Sequence, residues 1–299
     1  MICDRTVLIP PPKFMNILRI AIIGAGRMGQ GLGTALATRG QNVTLLGRRA
    51  QDVGPPFSLA DAWTPALRAS ALVLIATPDS AVESVAAELA GLGVIGSQHV
   101  VLHLAGPLDR SVLLPLAQSG AGLGSFHPLQ TVADPASAAE RLIGAFAGLE
   151  GDDRALEMGK RLAKQLQMTP IVIPQGGKAK YHAGAVMAAN YTVGLLGAAQ
   201  RLATEAGIDA EIAARMYTPL LEGAVHNIGV MGPAEALTGP IRRGDLSTIR
   251  LHLASLSMRD QELYRTVGLA VLTLARSAGL ADERAQQVQA LLEAKGTSG

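Results

Sequence analysis

A short apolar run, Leu18–Ile23, leads straight into Gly24-Ala25-Gly26-Arg27-Met28-Gly29. This junction constrains the fold more than any other part of the chain. Gly24 permits a tight turn, Gly26 lets backbone amides approach a pyrophosphate without a Cβ in the way, and Gly29 lets a following helix pack on the strand. Ala25, Arg27 and Met28 complete the loop, and the helix beginning there offers unpaired N–H groups and the positive end of its dipole to an anion. A chain with 34 glycines produces this spacing by chance, so context decides. Here a strand precedes it, a helix follows, and a second strand comes next at Val43–Leu46, the order a dinucleotide site requires.

From Asn16 to about Pro174, short β-branched runs alternate with Ala-rich helical stretches. The strand candidates are Leu18–Ile23, Val43–Leu46, Ala71–Ala76, Val100–Leu104, Ala145–Leu149 and Ile171–Ile173. Several are apolar at consecutive positions, as expected of parallel strands covered on both faces. Helical segments fall near Gly29–Thr38, Ser80–Leu89, Arg110–Gln118 and Asp152–Gln167. The alternation predicts an α/β domain with a doubly wound Rossmann-type sheet. After Pro174 no strand candidate appears, which predicts an all-helical second domain. The expected organisation is therefore a loose tail over 1–15, an NADP-binding domain over 16–174, and a helical substrate and dimerisation domain over 175–299.

Composition excludes several classes of function. With 26 basic and 24 acidic residues, the chain has no general polyelectrolyte attraction for nucleic acid or anionic membranes. Aromatic residues make up only 3%, too few for base-stacking platforms. One cysteine, Cys3, forms neither an intrachain disulfide nor a thiolate metal cluster, which suits a cytoplasmic protein; no metal site is expected. The uncharged run Ala183–Gln200 falls short of the ~20 apolar residues that span a bilayer and contains Asn190, Tyr191 and Thr192, so it is expected to be a helix buried in protein.

Cofactor choice is read at the end of the second strand. An NAD-preferring site usually places Asp or Glu there for the ribose 2′-OH; this chain has Gly47-Arg48-Arg49. One charge-assisted hydrogen bond from a guanidinium to a 2′-phosphate is worth ~1.5–3 kcal/mol, roughly a 10- to 150-fold preference at ~1.4 kcal/mol per decade. NADP(H) is the expected cofactor. Thr77 and Pro78, after the strand Ala71–Ala76, are placed to line the nicotinamide channel, because strand C-termini face the cofactor in such sheets.

Three segments carry candidate chemistry. Gly124-Ser125-Phe126-His127-Pro128-Leu129-Gln130-Thr131 reads as a polar loop with one imidazole suited to proton donation. Lys178-Ala179-Lys180-Tyr181-His182 opens the first helix of the second domain, and Lys178 and His182, four apart, share one face. Asn190 lies ~12 Å further along the axis, so it would serve cofactor, substrate or a partner helix from a separate place. Leu237-Thr238-Gly239-Pro240-Ile241-Arg242-Arg243-Gly244-Asp245 is a Gly/Pro connection ending in an N-cap Asp, where Thr238 and the Arg243 guanidinium suit a substrate carboxylate.

Taken together, GAGRMG, the VLHLAG segment around His103, GSFHPLQT, KAKYHAGAVMAANY and LTGPIRRGD followed by His252 resemble the Rossmann-like oxidoreductases whose C-terminal half is a helical domain of unknown function. More distantly the arrangement is similar to pyrroline-carboxylate reductases, ketopantoate reductases and β-hydroxyacid dehydrogenases. The last two use a lysine and an asparagine four apart near this helix. Here Lys178 has His182 at that spacing, so their mechanism does not transfer directly. His127-Pro128 is also similar to the His-Pro element of prephenate dehydrogenases.

The resulting expectation is an NADP(H)-dependent oxidoreductase, working as a homodimer, that moves hydride to or from a small carbonyl or imine carbon such as that of a 2-oxo acid. The acid candidates are His182, Lys178 and His127, in that order. The rival expectations are a prephenate-type dehydrogenase centred on His127 and a non-catalytic NADP(H) sensor or scaffold.

Overall fold

Runs such as Leu72–Ile75 and Val100–His103 are buried at every position, which requires packed helices on both sides of them. The computed structural model describes residues 18–47, 58–60 and 63–294; the proposed tail and the Arg48-Arg49 pair lie outside the described residues. By contact density the chain divides into two units meeting at Val193/Gly194.

The first unit is built on β1 (Arg19–Ile23), β2 (Asn42–Leu46), β3 (Ser58–Ala60), β4 (Leu72–Ile75), β5 (Val100–His103), β6 (Gly122–Leu129), β7 (Phe146–Gly151) and β8 (Thr169–Val172). They form one eight-stranded sheet in the order β3-β2-β1-β4-β5-β6-β7-β8. The first six strands are parallel, β7 pairs antiparallel with β6, and β8 runs parallel to β7. The order 3-2-1-4-5-6 at its heart is that of dinucleotide-binding sheets. Helices α1 (Arg27–Ala37), α2 (Trp63–Ala69), α3 (Val82–Leu92), α4 (Ala138–Arg141) and α5 (Asp153–Gln165) complete the layers.

Strand side chains alternate between faces, and the core divides accordingly. Ile20, Ile22, Leu72, Leu74, Leu102, Phe126 and Leu149 pack with Leu32 and Leu36 of α1 and Leu162 of α5. The intervening positions Ala21, Ile23, Val73, Ile75 and Val101 pack with Leu67 of α2 and Val82, Val85 and Leu89 of α3. On this second face the apolar cluster ends with Leu123 at the start of β6. Beyond it the same alternation places His103, Ser125, His127 and Glu150.

Four details differ from the sequence expectations. The segment holding His127 is strand β6 and not a loop; its Gly124 is required because a Cβ there would stand 2.4 Å from the Glu150 carbonyl oxygen. The stretch Arg110–Ser119 is 3₁₀ instead of α-helix and contains Pro115, which lacks the N–H of an i→i−4 bond. The short elements β3 and α2 carry no clear periodic signal. Finally, Ala183–Gln200 is helical but not buried, and nothing stands within 4 Å of the Cβ positions of Gly184, Gly194 or Gly197.

After β8 every described element is helical: α6 (Lys178–Val186), a π-turn at Met187–Tyr191, α7 (Thr192–Glu205), α8 (Ala210–Met216), α9 (Thr218–Ala236), α10 (Pro240–Arg243), α11 (Leu246–Ser255), α12 (Met258–Ser277) and α13 (Asp282–Glu293). The core of the second unit gathers Ile241, Ile249, Leu253, Leu272, Val288 and Leu292 from α10 to α13. Asp245 caps α11 as expected, accepting from the Thr248 N–H at 3.1 Å. Helix α9 bends at Gly232-Pro233, where Gly232 has φ 81°, and none of its residues is buried. No helix among the described residues is long and apolar enough to cross a membrane.

Candidate active site

The glycine loop after β1 has the shape its spacing implies. Gly24 has φ +113°, and a Cβ there would stand 2.7 Å from the Ala76 carbonyl oxygen; one on Gly29 would stand 1.9 Å from that of Gly24. Gly26 is different: nothing stands within 4 Å of its Cβ position, so the approach that its missing side chain leaves open is free. The loop is pinned by Gly24 N–H donating to Leu46 O at 2.9 Å and Gln30 Nε2 donating to Ala25 O at 2.6 Å. No side chain caps α1, which leaves the amides of Arg27, Met28 and Gly29 without intrahelical acceptors at its positive end.

Gly24, Ala25, Gly26, Thr77 and Pro78 line a cavity of about 370 Å³, with Trp63 on another wall; such a volume lies in the range of ~300–1,000 Å³ usual for small-ligand sites. The Thr77 hydroxyl is buried without a hydrogen-bond partner among the described residues. Open space at Gly26, uncapped amides and an orphaned hydroxyl together fit a dinucleotide. Gly47 also lines the cavity, immediately before Arg48 and Arg49.

A second cluster stands at the C-terminal ends of β5 and β6, the end where ligands bind in such sheets. Register aligns His103 with Ser125 and Ser125 with Glu150. One pleat further on, His127 pairs with Gly148. Helix α6 lies over this face. Its Tyr181 hydroxyl is 3.0 Å from His127 Nδ1 and packs where Gly148 has no side chain, 2.8 Å from the Cβ position. The His182 ring meets the His127 ring edge-on, centroids 5.4 Å apart, and rests on Gly106, whose Cβ would fall 2.1 Å from His182 Nδ1. Lys178, one turn earlier, is 1% exposed, with Nζ 5.8 Å from the centroid of the Tyr181 ring.

All three acid candidates therefore come together, but in different electrostatic states. Burial, with the Lys178 charge second, pushes the His103 imidazole down to about 4. Burial, followed by the charges of Lys178 and His182, pushes His127 down to about 3. Both rings are neutral near pH 7. Burial also lowers the Lys178 ammonium to about 8, against the opposing pull of Glu150, Asp79 and Asp109. Lys178 is thus poised to exchange a proton near neutrality. Lys178 Nζ, His103 Nδ1, Ser125 Oγ and His182 Nδ1 are buried without a hydrogen-bond partner among the described residues. Four orphaned polar atoms in one place are costly unless a ligand or water completes them.

Asn190 is exposed in the π-turn, and Thr238 and Arg243 are exposed in the second unit. His103, Ser125, Glu150 and Tyr181 were not singled out for roles by their local sequence. The available signal was the alternation itself: once VVLH and GLGSFHPL are both strands, their polar residues fall on one face.

Residues 12–128 match the model of a Rossmann-like domain, and residues 145–271 match a domain of unknown function, DUF2520. No curated protein matches the chain. Among solved structures, a Thermotoga maritima protein is 25% identical over 86% of this chain and 98% of its own, with a TM-score of 0.66. Pyrroline carboxylate reductase of Plasmodium falciparum, solved with NADP bound, is 12% identical over 92% of this chain and 98% of its own, TM-score 0.62. A reductive aminase of Aspergillus terreus in complex with NADPH and ethyl-5-oxohexanoate is 20% identical over 93% of each chain, TM-score 0.56. The chain joins a Rossmann-like domain to DUF2520, as its motifs imply.

Proposed function

We propose that this protein is an NADP(H)-dependent oxidoreductase acting on a small carbonyl or imine substrate, with Lys178 as the proton donor. The observation that carries this reading is the buried, unpartnered Lys178 amine at the strand ends beyond the glycine loop. Bound nicotinamide would supply or accept the hydride at the substrate carbon. In reduction, the C=O or C=N π pair moves onto oxygen or nitrogen, and Lys178 Nζ–H gives that atom its proton. The neutral His127 has one ring nitrogen engaged with Tyr181 and cannot serve as an imidazolium donor, so it ranks behind Lys178. His182 stands beside it as a group that orients the substrate. The fold shared with an NADP-bound reductase and an NADPH-bound reductive aminase supports the same reading, and Thr238 and Arg243 have the chemistry to receive a substrate carboxylate.

The test is calorimetric titration with NADPH and NADH, followed by NADPH oxidation assays across 2-oxo acids and cyclic imines. Tight NADPH binding and turnover of at least one substrate are expected; no heat with either nucleotide overturns the reading. Arg48→Ala and Arg49→Ala should each weaken NADPH by roughly 10- to 150-fold at sites that hold the 2′-phosphate, while leaving NADH affinity unchanged.

The same reading includes a homodimer through the helical region. Along α9, Leu220 is 70%, Ile228 47% and Met231 50% exposed and all three stand on one side of the helix, an apolar strip of the kind that marks an association surface. A second copy of the chain is the proposed occupant. Sedimentation should give a dimer for the wild type and a monomer for a Leu220→Glu/Ile228→Glu variant; a monomeric wild type overturns the assignment.

A further inference from the structure

The chain holds a single tryptophan, and the fold carries it to the cavity of the glycine loop. Strand β3 pairs with β2 so that Ala60 stands opposite Leu46, the residue before Gly47. Three positions after Ala60 the chain enters α2 at Trp63. This helix is fastened to the sheet one turn further on. Leu67, on the same side of α2 as Trp63, is fully buried in the core of the second sheet face, and its carbonyl oxygen accepts from His99 Nε2 at 3.0 Å. The indole packs on that core yet remains partly exposed, and it lines the same cavity as Gly24 and Gly26. Leu46 and Val85, which belong to the core the indole packs on, and Ala81 add apolar walls to this cavity. One cavity thus combines a loop of backbone amides with an aromatic, apolar recess.

We infer that Trp63 is the residue that binds the adenine ring of the dinucleotide, by stacking its indole on the base. The inference rests on the NADP(H) reading given above. Two placements decide which half of the dinucleotide reaches it. The diphosphate belongs over the uncapped amides of α1, directly after β1, and the guanidiniums for the 2′-phosphate follow β2 in the sequence. Adenosine therefore lies on the β2 side of the glycine loop, the side to which β3 and α2 bring Trp63. Nicotinamide has to extend the opposite way, toward Lys178 and the ends of β5 and β6. The sheet order β2-β1-β4-β5 sets those two ends three strand spacings apart, ~14 Å, so one indole does not serve both rings. Stacking suits this recess because it asks only for a flat π face and no hydrogen bond to the base edge, and Leu46, Ala81 and Val85 offer no polar side chain for one. Trp63 holds the cofactor and takes no part in hydride or proton transfer.

Because the chain has one indole, its fluorescence reports on Trp63 alone and the first test needs no variant. The full-length protein is titrated with adenosine 2′,5′-bisphosphate and, separately, with nicotinamide mononucleotide. The adenosine fragment carries no nicotinamide to accept energy from the indole, so quenching by it reports contact with the base. Saturable quenching by the adenosine fragment and an unchanged emission with the mononucleotide are expected. Calorimetry on Trp63→Ala should then show NADPH and the adenosine fragment weakened by the same factor, roughly 5- to 150-fold, the worth of one base stacked on an aromatic ring. Trp63→Phe, which keeps a ring, should recover most of that affinity; if the alanine variant does not fold, the phenylalanine variant and the wild-type emission decide. Unchanged emission on saturation with the adenosine fragment, quenching by the mononucleotide instead, or wild-type NADPH affinity in Trp63→Ala overturns the assignment of Trp63. Where calorimetry still records NADPH binding, the cofactor reading survives that failure; absence of heat with both NADPH and NADH overturns the two together.

Discussion

Replacing Lys178 with methionine is expected to lower turnover by about 10²–10⁴-fold, the usual worth of a positioned general acid, while NADPH affinity stays within threefold. The two effects separate because the amine lies on α6 and the glycine loop after β1. The fold should tolerate the change. A buried lysine without a hydrogen-bond partner carries a desolvation cost that methionine, of similar length, does not, so the melting temperature should hold or rise. Steady-state kinetics and thermal unfolding on the same preparations check both halves. The pH profile adds a sign. Donation needs the ammonium, which the site holds at about 8; wild-type reduction should be flat below that pH and fall tenfold per unit above it, whereas oxidation, which needs the free amine, should rise tenfold per unit below it and level off above it. Neutral imidazoles, with His103 at about 4 and His127 at about 3, cannot produce a limb there.

Much of this was legible in the sequence, for physical reasons that also explain what was not. Central strands announce themselves because burial on both faces demands unbroken apolar runs, as in LVLI and VVLH. Strand β6 did not, since GLGSFHPL spends its inward positions on glycines, serine and histidine, and each exists for a long-range neighbour: Gly124 for β7 and α5, Ser125 and His127 for the site. The glycine loop was legible because its chemistry is local. The electrostatic difference between Lys178 and His127 was not, because it depends on burial. Lys178 looks like an ordinary helix-start lysine until the sheet places His103, His127 and Tyr181 around it. The exposure of Ala183–Gln200 has the same root: small residues specify close packing without saying on what.

The glycine loop yields the other large effect, because its three glycines are there for different reasons. At Gly26 the backbone sits at φ −74° and ψ −178°, which any residue adopts, and the Cβ position is open. Gly26→Val should therefore fold with an unchanged melting temperature and yet lose NADPH binding, since the new side chain occupies the approach to the uncapped amides of α1. Losing two charge-assisted hydrogen bonds at ~1.5–3 kcal/mol each predicts at least a 100-fold weaker Kd. Gly29→Ala places a methyl group 1.9 Å from the Gly24 carbonyl oxygen, a clash with backbone that can be relieved only by moving the helix off the strand. It should lower the melting temperature and binding together. Calorimetry paired with thermal unfolding distinguishes the two cases. If Gly26→Val still binds NADPH at wild-type strength, the amides at the start of α1 do not hold the diphosphate, even though the loop has the right shape.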